Sequence, residues 1–168
     1  MAAKTETAMH IINQKIRDRE IRKIYLCIAL GEFKHGEGML DNYIVKDAGS
    51  KKVRVSPRLE AGAQRAQTKY RVLAASGELR LVECELLTGR THQIRAQMAH
   101  AGHPLLGDSQ YGDAKRNKKY GREYQALYAC RLIFDFRTDA GQLNPLKGLD
   151  VSVRNVRFVS EFFPEYRV

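Results

Sequence analysis

The sequence predicts an α+β fold: one domain with a mostly antiparallel, mixed sheet and a few helices. Three observations carry this. Short runs rich in β-branched and aromatic residues recur along the chain and end at Gly or Ser-Gly turns. Helical periodicity is confined to two stretches, so the strands are not separated by regular crossover helices. The 168 residues are the size of one domain, with no repeat, low-complexity tract or linker.

The elements follow in order. In TETAMHIINQKIRDR, residues 5–19, Ala8, Ile11, Ile12 and Ile16 share one helical face. Thr5 is the expected N-cap, and basic residues gather at the C-terminal end, where the helix dipole favours them. KIYLCIALG, Lys23 to Gly31, reads as a strand, followed by the turn GEFKHGEG and two extended pieces near 39–46 and 51–56. AQTKYRVLAASGELRLVECELLTG reads as a hairpin, with strands at 66–74 and 78–87 about the Ser76-Gly77 turn. A second helix is expected from Thr91 to Ala101, closed by Gly102 in the left-handed conformation. Residues 103–125 read as loop, with basic residues at Lys115, Arg116, Lys118, Lys119 and Arg122. ALYACRLIFDF and GLDVSVRNVRFV read as two last strands.

Lys plus Arg outnumber Asp plus Glu by 29 to 19, a formal net charge of +10. Such a balance points to a polyanionic partner, usually nucleic acid, although a merely solvated basic surface gives the same count. The 43% apolar content is enough for a core. No apolar run approaches the ~20 residues of a membrane helix, and MAAKTETAMH lacks the apolar centre of a secretory leader. A cytoplasmic chain without a membrane partner is expected. Cys27, Cys84 and Cys130 lie far apart in apolar runs, as buried free thiols would, and no Cys/His spacing indicates zinc.

The stretch LLTGRTHQIRAQMAHAGHPLLGDSQYG, 86–112, departs from this pattern. A strand, a Thr88-Gly89 turn and a helix start place Arg90, His92 and Arg95 near exposed backbone N–H groups, a setting that favours an anion. His92 and Arg95 are three apart and share a face; Ile94, Met98 and Ala101 fall on another and read as core. A capped amphipathic helix with solvated arginines has the same spacing. His103 to Asp108 reads equally well as helix stop and turns, and His100 as a surface or packed residue.

This stretch closely resembles the signature of the RluA-type pseudouridine synthases, which isomerise uridine in RNA. RDREIRKIYLCIALG resembles the family's lysine-x-tyrosine strand, AQTKYRVL its alanine-x-threonine-x-tyrosine strand, and ALYACRLIF its late strand, with Tyr128 where the family usually has His. The resemblance fades after about residue 137. It implies catalytic roles for Tyr25, which matches the tyrosine packed on the target base, and for Arg95, which matches the arginine paired with the catalytic aspartate. It implies substrate-binding roles for Leu127, matching an apolar wall of the uridine pocket, and for Arg90 and His92 in the same motif. It implies ribosomal or transfer RNA as partner, and neither metal nor cofactor.

The family's aspartate sits in a His-Arg-Leu-Asp-x-x-Thr-Ser-Gly motif, and no such motif occurs in these residues. Residues 1–168 are therefore expected to form the C-terminal part of a catalytic domain, without the small N-terminal RNA-binding domain the family often carries, and to be inactive alone. The uncovered edge of such a fragment is expected to be marginally stable or covered in a dimer. Asp108 reads as a turn former, and Asp41 and Asp47 have no supporting motif. A catalytically dead RNA-binding pseudoenzyme and an unrelated basic RNA-binding domain are the alternatives; the second does not account for Tyr25 and the 86–112 motif occurring together in family order.

Overall fold

The computed structural model describes residues 2–46, 49 and 52–166; Met1 and Asp47, and the start of the extended piece expected at 51–56, lie outside the described residues. The element order is α1 (Glu6–Arg17), β1 (Ile21–Leu30), β2 (Glu37–Lys46), β3 (Val53–Ser56), β4 (Gln64–Ser76), β5 (Leu79–Leu86), α2 (Gln93–His100), α3 (Ala114–Lys119), β6 (Leu127–Phe134), a 3₁₀ turn (Gly141–Leu146), β7 (Asp150–Ser152) and α4 (Arg157–Phe162).

Among the described residues, seven strands form one sheet in the order β3-β2-β4-β5-β1-β6-β7, and every pairing there is antiparallel. The fold is α+β, as expected. β1 lies near the middle because it is apolar on both faces. Ile24, Leu26, Ile28 and Leu30 face one way, against Val156, Phe158, Val159 and Phe163 around α4. Tyr25, Cys27 and Ala29 face the other way, against Ile94 and Met98 of α2. The three thiols are free and buried; the Cys27 and Cys84 sulfurs lie 3.9 Å apart.

Helix α1 starts at Thr5, whose hydroxyl accepts the Ala8 N–H. Ile11, Ile12 and Ile16 pack on Ile21, Phe134 and Phe136. Lys15, on the same side, is buried with Glu20 and donates to it at 2.7 Å and to the Thr138 hydroxyl at 2.6 Å. Glu20 is held down to a pKa of about 2, chiefly by Lys15, with Thr138 assisting against the opposing effect of burial. This pair ties the entry of β1 to the segment after β6.

The C-terminal third differs from the sequence expectation. Residues 103–125 contain the short helix α3, which buries no side chain and starts where the Asp113 carboxylate accepts the Arg116 N–H. GLDVSVRNVRFV is not one strand. Only Asp150–Ser152 pair with β6; Val156, Val159 and Phe163 then recur at helical spacing and are buried. The final helix wins because it covers the apolar α4-side face of β1, which an extended segment at the sheet edge cannot reach.

Candidate active site

Helix α2 is anchored through buried amides. The Gln93 Oε1 accepts from the Thr88 hydroxyl and the Arg90 N–H, and its Nε2 donates to Gln67 O and the Thr68 hydroxyl. One turn on, Gln97 accepts from the Thr68 hydroxyl and donates to Ala66 O and Asn42. A fully partnered polar network fixes one docking geometry, since a shifted helix would strand these groups without water. The helix is shorter than the expected 91–101. His92 adopts φ 52, in the left-handed region, and Thr91 lies in the preceding turn. Ala101, expected in the core, is exposed because it caps the helix. Gly102 takes the expected left-handed conformation at φ 87.

Arg95 and His92 do share a face, and both meet Tyr111. The Arg95 guanidinium lies 5.2 Å from the Tyr111 ring centre, and the His92 Nδ1 lies 3.1 Å from its hydroxyl. Burial is the main cause holding the His92 ring below its ordinary pKa, with Arg95 adding to it. Arg95 Nε and Nη2 grip the two oxygens of Asp108 at 2.7 and 2.8 Å. Burial pushes the Asp108 carboxyl up, but Arg95 and the backbone N–H groups of Tyr111 and Gln110 outweigh it, so the carboxyl stays below its ordinary range. Arg95 therefore has a carboxylate partner inside the chain, where the resemblance implied one from a motif these residues lack. Asp108 closes a turn and is wholly buried.

Tyr25 and Leu127, more than a hundred residues apart in sequence, are brought together on adjacent strands. Tyr25 pairs with Ala129 and Cys27 with Leu127, so the two side chains are diagonal neighbours against one apolar cluster. Tyr25 lines an open cavity of about 270 Å³ with Lys23, Ala129 and Leu132. Arg95 lies on the same side of the sheet, but neither Arg95 nor Leu127 lines this cavity. Among the described residues no carboxylate lines it either. Asp41 is held by Arg65 through two hydrogen bonds of 2.9 and 2.6 Å.

A second cavity, about 530 Å³, opens between α1 and the Thr88-Gly89-Arg90 turn. Lys23 borders both cavities. Its ammonium has no hydrogen-bond or ion-pair partner among the described residues, and burial, reinforced by Arg90, holds its pKa below the ordinary lysine value. Among the described residues there is no group of three or more His, Cys, Asp or Glu placed to hold a metal, and no helix is long and apolar enough to cross a membrane.

The profile of the RNA pseudouridylate synthase family matches residues 1–100. The chain belongs to the RNA pseudouridylate synthase family. An uncharacterized RNA pseudouridine synthase of Bacillus subtilis, YhcT, is 39% identical over 133 residues, 77% of this chain and 41% of that protein. The ribosomal large subunit pseudouridine synthase C of Vibrio vulnificus is 29% identical over 137 residues, 80% of this chain and 42% of that protein. The solved structure of human RNA pseudouridylate synthase domain containing 1 superposes with a TM-score of 0.72 at 20% identity, over 98% of this chain and 66% of that one, a likeness of fold. The chain spans about two fifths of the length of the curated relatives it matches.

Within this member of the family, sequence reasoning missed the Gln93–Gln97 anchor, the Arg95–Asp108 pairing and Tyr111. The i,i+4 glutamines on a helix that also buries Ile94 and Met98 were a readable signal: two amides on a core-facing helix need partners. Tyr128, at the position of the family's usual His, is largely exposed. His100 is exposed, and His103 stacks on Phe33 with ring centres 3.7 Å apart.

Proposed function

We propose that these residues form the base-holding part of a site that isomerises uridine to pseudouridine in structured RNA, ribosomal or transfer. The observation that carries the reading is Tyr25, which lines an open cavity and has Leu127 as its diagonal neighbour on the next strand. Isomerisation detaches uracil from the ribose, turns it and rejoins it through a carbon. The free base must be kept by an aromatic ring and an apolar wall, and Tyr25 and Leu127 supply both. The target nucleotide must leave its stack, which a cationic surface favours. The named ribosomal activity of the Vibrio relative favours ribosomal RNA.

The step also needs an ionised carboxylate at the sugar. Asp108 and Asp41 are each committed to an arginine, and a carboxylate carried by the family's His-Arg-Leu-Asp-x-x-Thr-Ser-Gly motif would supply the step. Arg95, with Asp108, then orders the helix that carries the Arg90 and His92 side of the site. No metal or cofactor takes part, and the reaction is cytoplasmic. A fusion of residues 1–168 to a segment carrying the His-Arg-Leu-Asp-x-x-Thr-Ser-Gly motif should form pseudouridine in ribosomal RNA, detected by chemical mapping. Tyr25→Ala should lower that rate by about a hundredfold, the scale of lost substrate positioning. A folded, RNA-binding fusion without product on ribosomal or transfer RNA would overturn the reading.

A further inference from the structure

We propose that the cationic cavity between α1, the start of β1 and the Thr88-Gly89-Arg90 turn is a phosphodiester site, holding a backbone phosphate of the RNA whose uridine lies at Tyr25. The uridine's position rests on the function proposed above; the anion site rests on the following geometry.

Arg17, Arg19, Lys23 and Arg90 line the cavity, and among the described residues none of its lining groups is acidic. Several arginines elsewhere on this surface have carboxylate partners. Arg22 is paired with Glu85, Arg65 with Asp41, Arg71 with Glu83 and Arg131 with Asp150. The arginines of the cavity meet only uncharged oxygens: Arg17 the Gln14 amide, Arg19 the Gln67 amide and Arg90 the Arg65 carbonyl. Four positive groups without a counter-ion repel one another, and a bound anion relieves that repulsion.

Lys23 identifies where the anion sits. It is half-buried without a partner, a state that costs stability unless a ligand completes it. A Cβ at Gly89 would lie 3.4 Å from the Lys23 Nζ, so the Thr88-Gly89 turn passes close beside the ammonium. The burial that lowers the Lys23 pKa would be offset by a neighbouring phosphate. Lys23 also borders the Tyr25 cavity, two residues and roughly 7 Å along the strand from Tyr25. One residue thus joins a base-sized apolar recess to an anion-sized cationic one, as a nucleotide requires. A phosphate is favoured over a carboxylate because several donors converge from different elements, matching an anion with oxygens in several directions.

The test is binding of a short labelled stem-loop RNA to residues 1–168, followed by fluorescence anisotropy across a salt series. Lys23→Met should weaken binding by about tenfold and flatten the dependence of log affinity on log salt by about one unit, the signature of one lost phosphate contact. Arg17→Gln should act in the same direction. Lys118→Gln, on the exposed face of α3, should do markedly less. Lys23→Met should at the same time raise the melting temperature, because it removes an unpaired half-buried charge. Inorganic phosphate should shift the Thr88 and Gly89 amide resonances, and RNA should displace it. Unchanged affinity and salt slope in Lys23→Met would overturn the proposal while leaving the uridine reading standing. So would an equal loss in Lys118→Gln, or a fall in melting temperature with the loss of affinity, which would make Lys23 structural. Phosphate binding that RNA does not displace would assign the cavity to free phosphate instead. Absence of RNA binding even at low salt would sink both readings.

Discussion

The Arg95 guanidinium and the Asp108 carboxylate form a two-pronged ion pair, with the Asp108 side chain wholly buried and Arg95 nearly so. The pair joins α2 to the turn that follows it, across the ring of Tyr111. Asp108 also accepts two backbone N–H groups, so neither partner can leave without stranding the other in a site closed to water.

Asp108→Asn and Arg95→Ala should therefore each cost about 3–5 kcal/mol, the range for breaking a buried pair by removing one partner. Replacing both with apolar residues of similar volume should cost less than the sum of the single changes. Urea unfolding of the four proteins measures this directly. Additive losses would mean that the two residues stabilise the fold independently.

Gly107 gives a second stability test. It adopts φ +79, and a Cβ there would lie 2.1 Å from the Tyr124 carbonyl oxygen. Gly77, in the β4–β5 hairpin turn, also has a positive φ of +56 but opens into free space. Gly77→Ala should cost about 1–2 kcal/mol, the left-handed penalty alone. Gly107→Ala should cost clearly more, because backbone must move as well. Equal melting temperatures for the two variants would contradict the close packing of residues 107 and 124.

Acid should loosen the anchor of α1. Glu20 has a pKa of about 2 in the folded protein against an ordinary value of 4.5. The unfolded chain thus takes up this proton first as pH falls. The contribution of Glu20 is complete above about pH 4.5 and is lost progressively toward pH 2. Glu20→Gln should be less stable than the parent at pH 7 and should lose less additional stability across that window. Parallel stability curves for the two proteins would show that the Lys15–Glu20 pair is not the source of the acid sensitivity.

The sheet was legible because β1, β4 and β5 carry the apolar patterns and turn residues that specify strands locally. The hairpin centred on Ser76-Gly77 needs no distant information. α3 was not legible: AKRNKK has no apolar period, and only the Asp113 cap marks its start. α4 was misread because Leu149, Val151 and Val153 alternate and Val156 and Phe158 resume a two-residue spacing after a slip at Arg154-Asn155; only the apolar face of β1 decides for the helix. In the candidate site, the spacing of His92 and Arg95 correctly put them on one face. It could not show that the partner of Arg95 lies thirteen residues on, since an ion pair across a turn leaves no periodic trace. Lys23 lay within the lysine-x-tyrosine strand, but its lack of a counter-ion emerges only when α1 and the Thr88-Gly89 turn are placed beside it.

Residues 1–168 alone should form no pseudouridine in ribosomal or transfer RNA. In the proposed reading Tyr25 and Leu127 would hold a base and Lys23 and Arg90 a phosphate, but none of these side chains would attack or deprotonate the ribose. The two aspartates singled out in the sequence that fall among the described residues are already engaged: Asp108 is enclosed by Arg95 and two N–H groups, and Asp41 is gripped by Arg65 and Gln67. Freeing either would break an ion pair before any chemistry began. Adding a polypeptide that carries the His-Arg-Leu-Asp-x-x-Thr-Ser-Gly motif, fused or in trans, should start product formation. Changing the aspartate of that motif to Asn should abolish product and leave RNA binding intact. Product from residues 1–168 alone, abolished by Asp41→Asn or Asp108→Asn in a protein that still melts as the parent does, would instead place the reacting carboxylate inside this chain.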